Sequence, residues 1–343
     1  DQDRVSSYTQ QFQIGIQRSL PWQMKVQANF VRMLSLKLPD NFNLNEKPDE
    51  YLALGAAENT RVDNPFYGVF PSSSALGNSP TIVQRQLWTA YPQYNGLTVV
   101  GAPTGISPYN SLQLDIEKRF SHGLTVIANY SISKQLYNNI TSLVNTRHYR
   151  SVAWMDRPHV ANVAWVYELP FGTGKAFASD ARGVLGFLTN GWSLSGRFYF
   201  ASGVPLSISD SNGRPIRLRD ASLSGSVTDR LGDRVDSATG NVLNPYFDVT
   251  AFQSLPNQFT VSPEPPYVGE LRGPGTTNLD LSVVKRFKIW ERLSADIRAD
   301  ASNATNTPVY GAPGTNLANK GTFGVITSAS SNRNMQLAFR MVF

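Results

Sequence analysis

From Asn334 to Phe343 the chain alternates without a break. The odd positions Met335, Leu337, Phe339, Met341 and Phe343 are large and apolar, whereas Asn334, Gln336 and Arg340 among the even ones are polar. Period 2 puts these two sets on opposite faces of an extended strand. A segment of this length also matches the roughly 9–11 residues that a tilted strand needs to cross a bilayer. The apolar face must therefore be buried against a second layer or turned toward hydrocarbon.

Eight earlier segments repeat the pattern, at 11–19, 23–32, 110–120, 124–134, 160–169, 192–201, 277–287 and 293–301. Their apolar faces include Phe12, Ile14 and Ile16, then Val26, Ala28 and Phe30, and later Leu279, Leu281 and Val283. The opposite faces of these segments and of 334–343 are polar, and eight of their residues are candidates for lining a polar lumen: Gln113, Asp115, Glu117, Asp280, Arg286, Asp296, Arg298 and Arg340. Segments 114–120 and 281–287 both end in Lys-Arg-Phe before a turn. Each carries one lysine on its apolar side, Lys118 and Lys285, close enough to the turn to snorkel to a membrane surface.

The connections fall into two alternating sets. Those at 20–22, 121–123, 170–191 and 288–292 are the shorter, and those at 33–109, 135–157, 202–276 and 302–333 the longer. Transmembrane barrels have this asymmetry, with short periplasmic turns and long extracellular loops. Aromatics gather toward both ends of the segments, Trp22, Phe120, Trp192, Phe287, Trp290 and Phe343 at one and Phe30, Tyr130 and Phe200 at the other. Such residues form the two girdles of a barrel; the core of a soluble sandwich is the alternative reading. The fold expected is all-β, a transmembrane antiparallel β-barrel segment of about nine strands with long extracellular loops. Tracing back from a periplasmic Phe343 puts residues 1–10 outside, which fits the C-terminal part of a larger barrel better than a closed one.

Composition agrees with many turns and few helices: 26 Gly, 21 Pro, and 18 Phe, 14 Tyr and 6 Trp, with only 16% charged residues. Mean hydropathy is −0.26, which a barrel tolerates because polar loops and lumen residues dilute the average. No run of about 18 apolar residues suggests a transmembrane helix, and no signal-peptide pattern stands at the start. Cysteine is absent, so disulfides and thiolate chemistry are excluded. The net charge of +6 is dispersed, which argues against a nucleic-acid partner.

No enzyme is expected. Gly172-Thr-Gly174-Lys175 lacks the spacing of a phosphate loop, and Ala176 stands where that motif needs Ser or Thr. His122, His148 and His159 lack metal-ligand spacing, and His159 fits a local loop network better. Asp210, Asp220, Asp229, Asp233 and Asp236 hint at loop calcium without matching the EF-hand pattern. Asp296 and Asp300 flank Arg298 on one face, which reads as a charge ladder rather than a hydrolytic pair. No cofactor is called for.

Several phrases, in order, resemble the Oar-like TonB-dependent receptors of the outer membrane. They are Asn64-Pro-Phe-Tyr-Gly68, Tyr109-Asn-Ser-Leu-Gln-Leu114, Asp156-Arg-Pro-His-Val160, Glu168-Leu-Pro-Phe-Gly172 with Gly174-Lys175, Asn190-Gly-Trp192, Gly203-Val-Pro205, Asn303-Ala-Thr-Asn306, Phe323-Gly-Val-Ile-Thr327 and the terminal Phe343. The resemblance implies a 22-stranded plugged barrel energised by TonB. This chain would be its C-terminal portion over 1–343, without plug, TonB-box region or signal peptide. The implied partners are outer-membrane lipid and lipopolysaccharide, the N-terminal plug and earlier strands, the TonB complex through them, and the barrel-assembly machinery. Met335, Leu337, Phe339, Met341 and Phe343 would be the C-terminal assembly signal. Loops 33–109 and 202–276 are the expected ligand contacts. Two other readings stand beside this one: a passive structural or adhesive outer-membrane barrel, and a soluble secreted glycan-binding β-domain.

Overall fold

The structure, a computed structural model, describes residues 5–71, 74–94, 96–142, 144–145, 147–290 and 293–343. Nine long strands form an antiparallel meander in which each pairs with the next. They are β1 (Tyr8–Leu20), β2 (Met24–Asn43), β3 (Thr98–Ser121), β4 (Leu124–Ser142), β5 (His159–Glu168), β6 (Trp192–Ala201), β7 (Thr276–Lys288), β8 (Ser294–Ser302) and β9 (Asn334–Val342). A further strand, Arg147–Val152, pairs with the far end of β4. Among the described residues β1 and β9 are the free edges, so the sheet is an open portion of a barrel wall.

Register carries the apolar face from strand to strand. Ile14 stands opposite Phe30, Phe30 opposite Leu112, and Leu112 opposite Ile132. Farther on, Val163 meets Phe198, Phe198 meets Leu279, and Val283 meets Ala299, which meets Leu337. A slip of one residue at any pair would put an apolar set among polar ones, so nine short patterns fix one another. The joined face is uncovered, with Ile16 74% and Leu337 80% exposed. Between Leu279 and Phe287 a strand rising about 3.3 Å per residue covers about 26 Å. A tilt near 40° leaves a height of about 20 Å, close to the apolar band of about 25 Å on outer-membrane barrels. Gly196 lies under the Trp165 ring on this face, and a Cβ there would come within 2.4 Å of it. Glycine is therefore a packing requirement at that point.

The short-turn end is tight. Three residues, Pro21 to Gln23, join β1 to β2, with Trp22 and Gln23 at φ of 61° and 58°, and two, His122 and Gly123 at 52° and 78°, join β3 to β4; the second is the left-handed pair that suits a twisted hairpin. In the turn after β7, Ile289 N–H donates to the Leu293 carbonyl at 2.9 Å; Glu291 and Arg292 of the expected 288–292 turn lie outside the described residues. Neither apolar-side lysine snorkels to open water. Lys118 Nζ donates to the carbonyls of Ser121 and Leu124 at 2.7 and 2.9 Å. Lys285, only 5% exposed, donates to the carbonyls of Leu188, at 2.9 Å, and Asn190. Its ammonium also stands 5.1 and 5.2 Å from the Trp192 and Phe287 rings. Turn carbonyls thus satisfy both charges where water is scarce.

At the other end the strands run longer than alternation predicts. The β2–β3 connection is 44–97 rather than 33–109, and much of the 135–157 loop is strand. Bulges interrupt the β2–β3 ladder between Ser35 and Leu38 and around Pro39 to Phe42, with Lys37 at φ 57°. Above the hydrocarbon both faces meet polar surroundings. The backbone ladder can then continue without an apolar period, and prolines can sit at its irregularities.

The buried core lies in the outer loops. Leu206, Ile208, Ala221, Tyr246, Phe247, Ala251, Phe252 and Leu271 of the β6–β7 loop enclose Phe323 of the β8–β9 loop. Phe247, Phe252 and Phe323 form an edge-to-face triangle with centroids 5.0–5.9 Å apart. The two longest late loops are therefore one packed cap. Phe247→Ala should cost this cap about 3–5 kcal/mol. In hydrogen exchange the amides around Leu206, Leu271 and Phe323 should lose protection together while those of β6 and β7 keep theirs.

Candidate functional site

The eight predicted polar-face residues all fall opposite the apolar face, on β3, β7, β8 and β9. On β8, Asp296 accepts two hydrogen bonds from Arg286, at 2.8 and 3.3 Å, and stands opposite Arg340 in register. Arg298 donates to Asp300 at 2.7 Å. On β3, Glu117 lies 3.4 Å from Lys25, Asp115 accepts from Asn29 and Asn129 on the flanking strands, and Gln113 stands between Asn29 and Ser131. The β3 group and the β8–β9 group are five strand spacings apart, about 24 Å, so they form two patches. Asp280 differs from the rest. It accepts from the Asn303 backbone N–H and the Asn278 amide, both at 2.9 Å, and so pins the start of the β8–β9 loop. Exposed pairs of this kind add little to stability because water screens them; they set an alternation of charge along the wall. Arg197, opposite Asp280 in register, belongs to the same face. The alternation of β6 pointed to it, because it follows Gly196 and precedes Phe198.

Where wall and cap meet, the Asp156-Arg-Pro-His159 stretch acts as a clasp. Asp156, 2% exposed, accepts from Arg272 Nη2 at 2.6 Å and from the Gln135 backbone N–H at 2.6 Å. Arg272 also donates to the carbonyls of Asp156 and Gly203 at 2.8 and 3.2 Å, and Arg157 reaches the Ser202 carbonyl at 2.7 Å. His159 Nδ1 lies 2.9 Å from the Tyr130 hydroxyl. These bonds fix both ends of the β6–β7 loop to the β4–β5 side of the wall.

Beyond the clasp, three connections converge on an open cleft of about 370 Å³. The β2–β3 loop supplies Lys47 and Asp49, the β4–β5 connection Asn145, Arg147 and Tyr149, and the β6–β7 loop Arg214 and Phe259. Asn145 accepts from the Asp49 backbone N–H at 2.8 Å and donates to the Lys47 carbonyl at 3.2 Å. Arg147 pairs with Asp49 through Nε at 3.0 Å, and Lys47 pairs with buried Glu58. The Arg214 guanidinium stands 4.6 Å over the Tyr149 ring. Burial, with Arg85 nearby, lowers the Lys47 pKa, and Asp49 opposes the shift. Cations, carboxylates, an amide and aromatic planes at one mouth suit recognition of a polar ligand with an apolar part. Loops 33–109 and 202–276 were expected to contribute, whereas Arg147 and Tyr149 of the third connection were not. No spacing signal joins three separate loops.

The loop aspartates are engaged locally. Asp220 accepts from the Ser222 N–H and Asp236 from the Ala238 N–H, each at 2.9 Å. Asp233 accepts from the Asn244 amide at 2.7 Å, while Asp210 exchanges backbone bonds with Gly213. Among the described residues no group of three or more His, Cys, Asp or Glu converges as a metal site. Asn64 of the Asn-Pro-Phe-Tyr-Gly phrase caps Phe66 N–H at 2.9 Å and donates to the Leu76 and Ser79 carbonyls, so it organises its own loop.

Residues 1–336 match the family model described as outer membrane beta barrel domain, and the chain belongs to that family. The apolar band is thus a lipid face, which sets aside the soluble glycan-binding reading. No match is found among curated proteins. Among solved structures the chain is similar to the outer membrane transporter YddB from Escherichia coli, at 10% identity and a TM-score of 0.43, over 100% of this chain and 33% of that one. It is similar to the ferric-catecholate import receptor Fiu from Escherichia coli K12 in its closed form, at 10% identity and TM-score 0.42, over 100% and 28%. The pyoverdine outer membrane receptor FpvA from Pseudomonas aeruginosa PAO1 gives 10%, 0.41, 98% and 30%. The chain spans about a third of the length of these proteins.

Two outcomes follow from the clasp and the cap. Asp156→Ala leaves the largely buried Arg272 guanidinium without its carboxylate, a loss of about 3–5 kcal/mol; protease should then cut within 202–275 at lower concentration while the wall stays intact. Asp248, which accepts from the Thr250 hydroxyl and N–H and from Arg219, has its carboxyl held below the ordinary aspartate range by these bonds, Thr250 first. A lowered folded pKa gives stability that is present above the unfolded value and lost as pH falls through the folded one. Protection of the 246–252 amides should therefore hold at neutral pH and decline from about pH 4 downward.

Proposed function

We propose that this chain is the C-terminal wall and surface-loop portion of an Oar-like TonB-dependent receptor that moves a polar ligand across the outer membrane. The observation that carries the reading is the gathering of three long connections into one clasped cleft at the end away from the short turns. A passive barrel has no need of long loops packed together and tied to the wall by a buried ion pair. In this reading the cleft holds the ligand first. The polar face, from Gln113, Asp115 and Glu117 through Arg197 and Asp280 to Arg286, Asp296, Arg298 and Arg340, lines the lumen and meets the plug or the passing solute. Further strands and a plug complete the wall, in line with the ordered phrases from Asn64-Pro-Phe-Tyr-Gly68 to Phe323-Gly-Val-Ile-Thr327. Without them this portion does not transport.

The lipid-facing Met335, Leu337, Phe339, Met341 and Phe343 serve as the signal read by the barrel-assembly machinery, and β9 pairs with the first strand of the whole barrel. Left unpaired, that edge is a site for aggregation.

The parent gene should encode a plug and a TonB box upstream of Asp1. Accumulation of the ligand by cells carrying the whole protein should stop when TonB is deleted, and ligand movement that persists unchanged would turn the reading toward a passive barrel. Phe343→Asp in the full-length protein should lower the amount assembled in the outer membrane several-fold, measured in membrane fractions; undiminished assembly would count against the proposed signal.

A further inference from the structure

Among the described residues, the connection between β5 and β6 is the one short-end connection that is not a simple turn. It carries α1 (Gly183–Thr189), a short helix of sequence Gly-Val-Leu-Gly-Phe-Leu-Thr. Val184, Leu185, Phe187 and Leu188 are 76%, 59%, 56% and 57% exposed. Four large apolar side chains on seven residues are far more than a solvated loop displays by chance.

The position of α1 says what covers them. Phe187 packs on Phe287 with ring centroids 4.8 Å apart. Trp192 Nε1 donates to the Leu188 carbonyl at 2.8 Å, and Lys285 Nζ donates to the carbonyls of Leu188 and Asn190. Trp192, Lys285 and Phe287 all belong to the lipid face, with Lys285 between Trp192 and Ile297 in register. The helix therefore sits on the outside of the wall, at the lower rim of the apolar band, and not beneath the lumen. Gly191, at φ 76°, lets the chain cross β7 closely: a Cβ there would meet the Arg286 carbonyl at 2.3 Å.

We propose that α1 is an interfacial anchor whose Val184, Leu185, Phe187 and Leu188 insert among phospholipid acyl chains at the short-turn rim of the barrel. Its apolar side chains are continuous with the established lipid face, and its C-terminal carbonyls receive the one lysine which that face carries there. Helices of this kind lie in the membrane plane with their apolar side a few ångströms into the acyl boundary. Lys285 is the tether: its ammonium offsets the carbonyl end of α1 and holds it against Trp192 and Phe287.

The test uses the whole barrel in phosphatidylethanolamine–phosphatidylglycerol vesicles, with single cysteines introduced for nitroxide labels by Leu185→Cys, Ile116→Cys and Leu243→Cys. Ile116 reports the lipid face, and Leu243 reports an exposed outer loop. Relaxation by oxygen relative to a water-soluble nickel chelate should give Leu185→Cys an oxygen-dominated ratio within about twofold of Ile116→Cys and several-fold above Leu243→Cys. A ratio equal to that of Leu243→Cys would overturn the proposal, as would an immobilised label that neither relaxant reaches, which would mean a protein covers the helix. Lys285→Met in the Leu185→Cys background should increase label mobility; unchanged mobility would remove the lysine from its role as tether.

Discussion

Hydrocarbon offers no partner to an unpaired backbone N–H or carbonyl, and the rest of this structure follows from that constraint. It requires an unbroken antiparallel ladder, which the meander from β1 to β9 provides. It also requires that whatever leaves the ladder do so outside the apolar band, where the bulges of β2 and β3 begin past Ser35. The same rule governs charge. Lys118 and Lys285 stand on the lipid side because backbone carbonyls of neighbouring turns accept hydrogen bonds from their ammonium groups. Trp192 and Phe287 cover the second of them.

Above the band the rules change. With water available, backbone groups need no continuous ladder, and stability comes from ordinary burial. The β6–β7 and β8–β9 loops use it by enclosing Phe247, Phe252 and Phe323 together. The Asp156–Arg272 pair then fixes this cap to the wall. A buried pair of this kind adds little net stability against an apolar equivalent, but its geometry sets where the loop leaves and rejoins the sheet. The cleft lined by Lys47, Arg147 and Arg214 depends on that placement, because its sides belong to loops that share no sequence neighbourhood.

The division between legible and illegible parts follows the environment. Strand positions, their facing and the polar set from Gln113 to Arg340 were readable because lipid on one side imposes a strict period of two. Arg197 was passed over, as were Lys25, Asn29, Asn129 and Asp300, and the same period assigns them. The ends of β2, β3 and β4 were not readable: past the hydrocarbon nothing enforces the period, so Met33, Leu34 and Leu36 look like loop while their backbones still pair. The Asp-Arg-Pro-His phrase stood out in the sequence, but Arg272, its partner, lies more than a hundred residues away without any motif.

By itself the sequence determined an all-β wall, its lipid and polar faces, and long connections gathered at one end, because each is written in local alternation and spacing. Tertiary structure decided that two of those connections share a core, that three of them form a cleft, that Asp280 pins a loop rather than standing free, and that α1 lies on the outer wall. Those outcomes depend on contacts between residues far apart in the chain, whose side chains meet only once the register of nine strands has set the spacing between their loops.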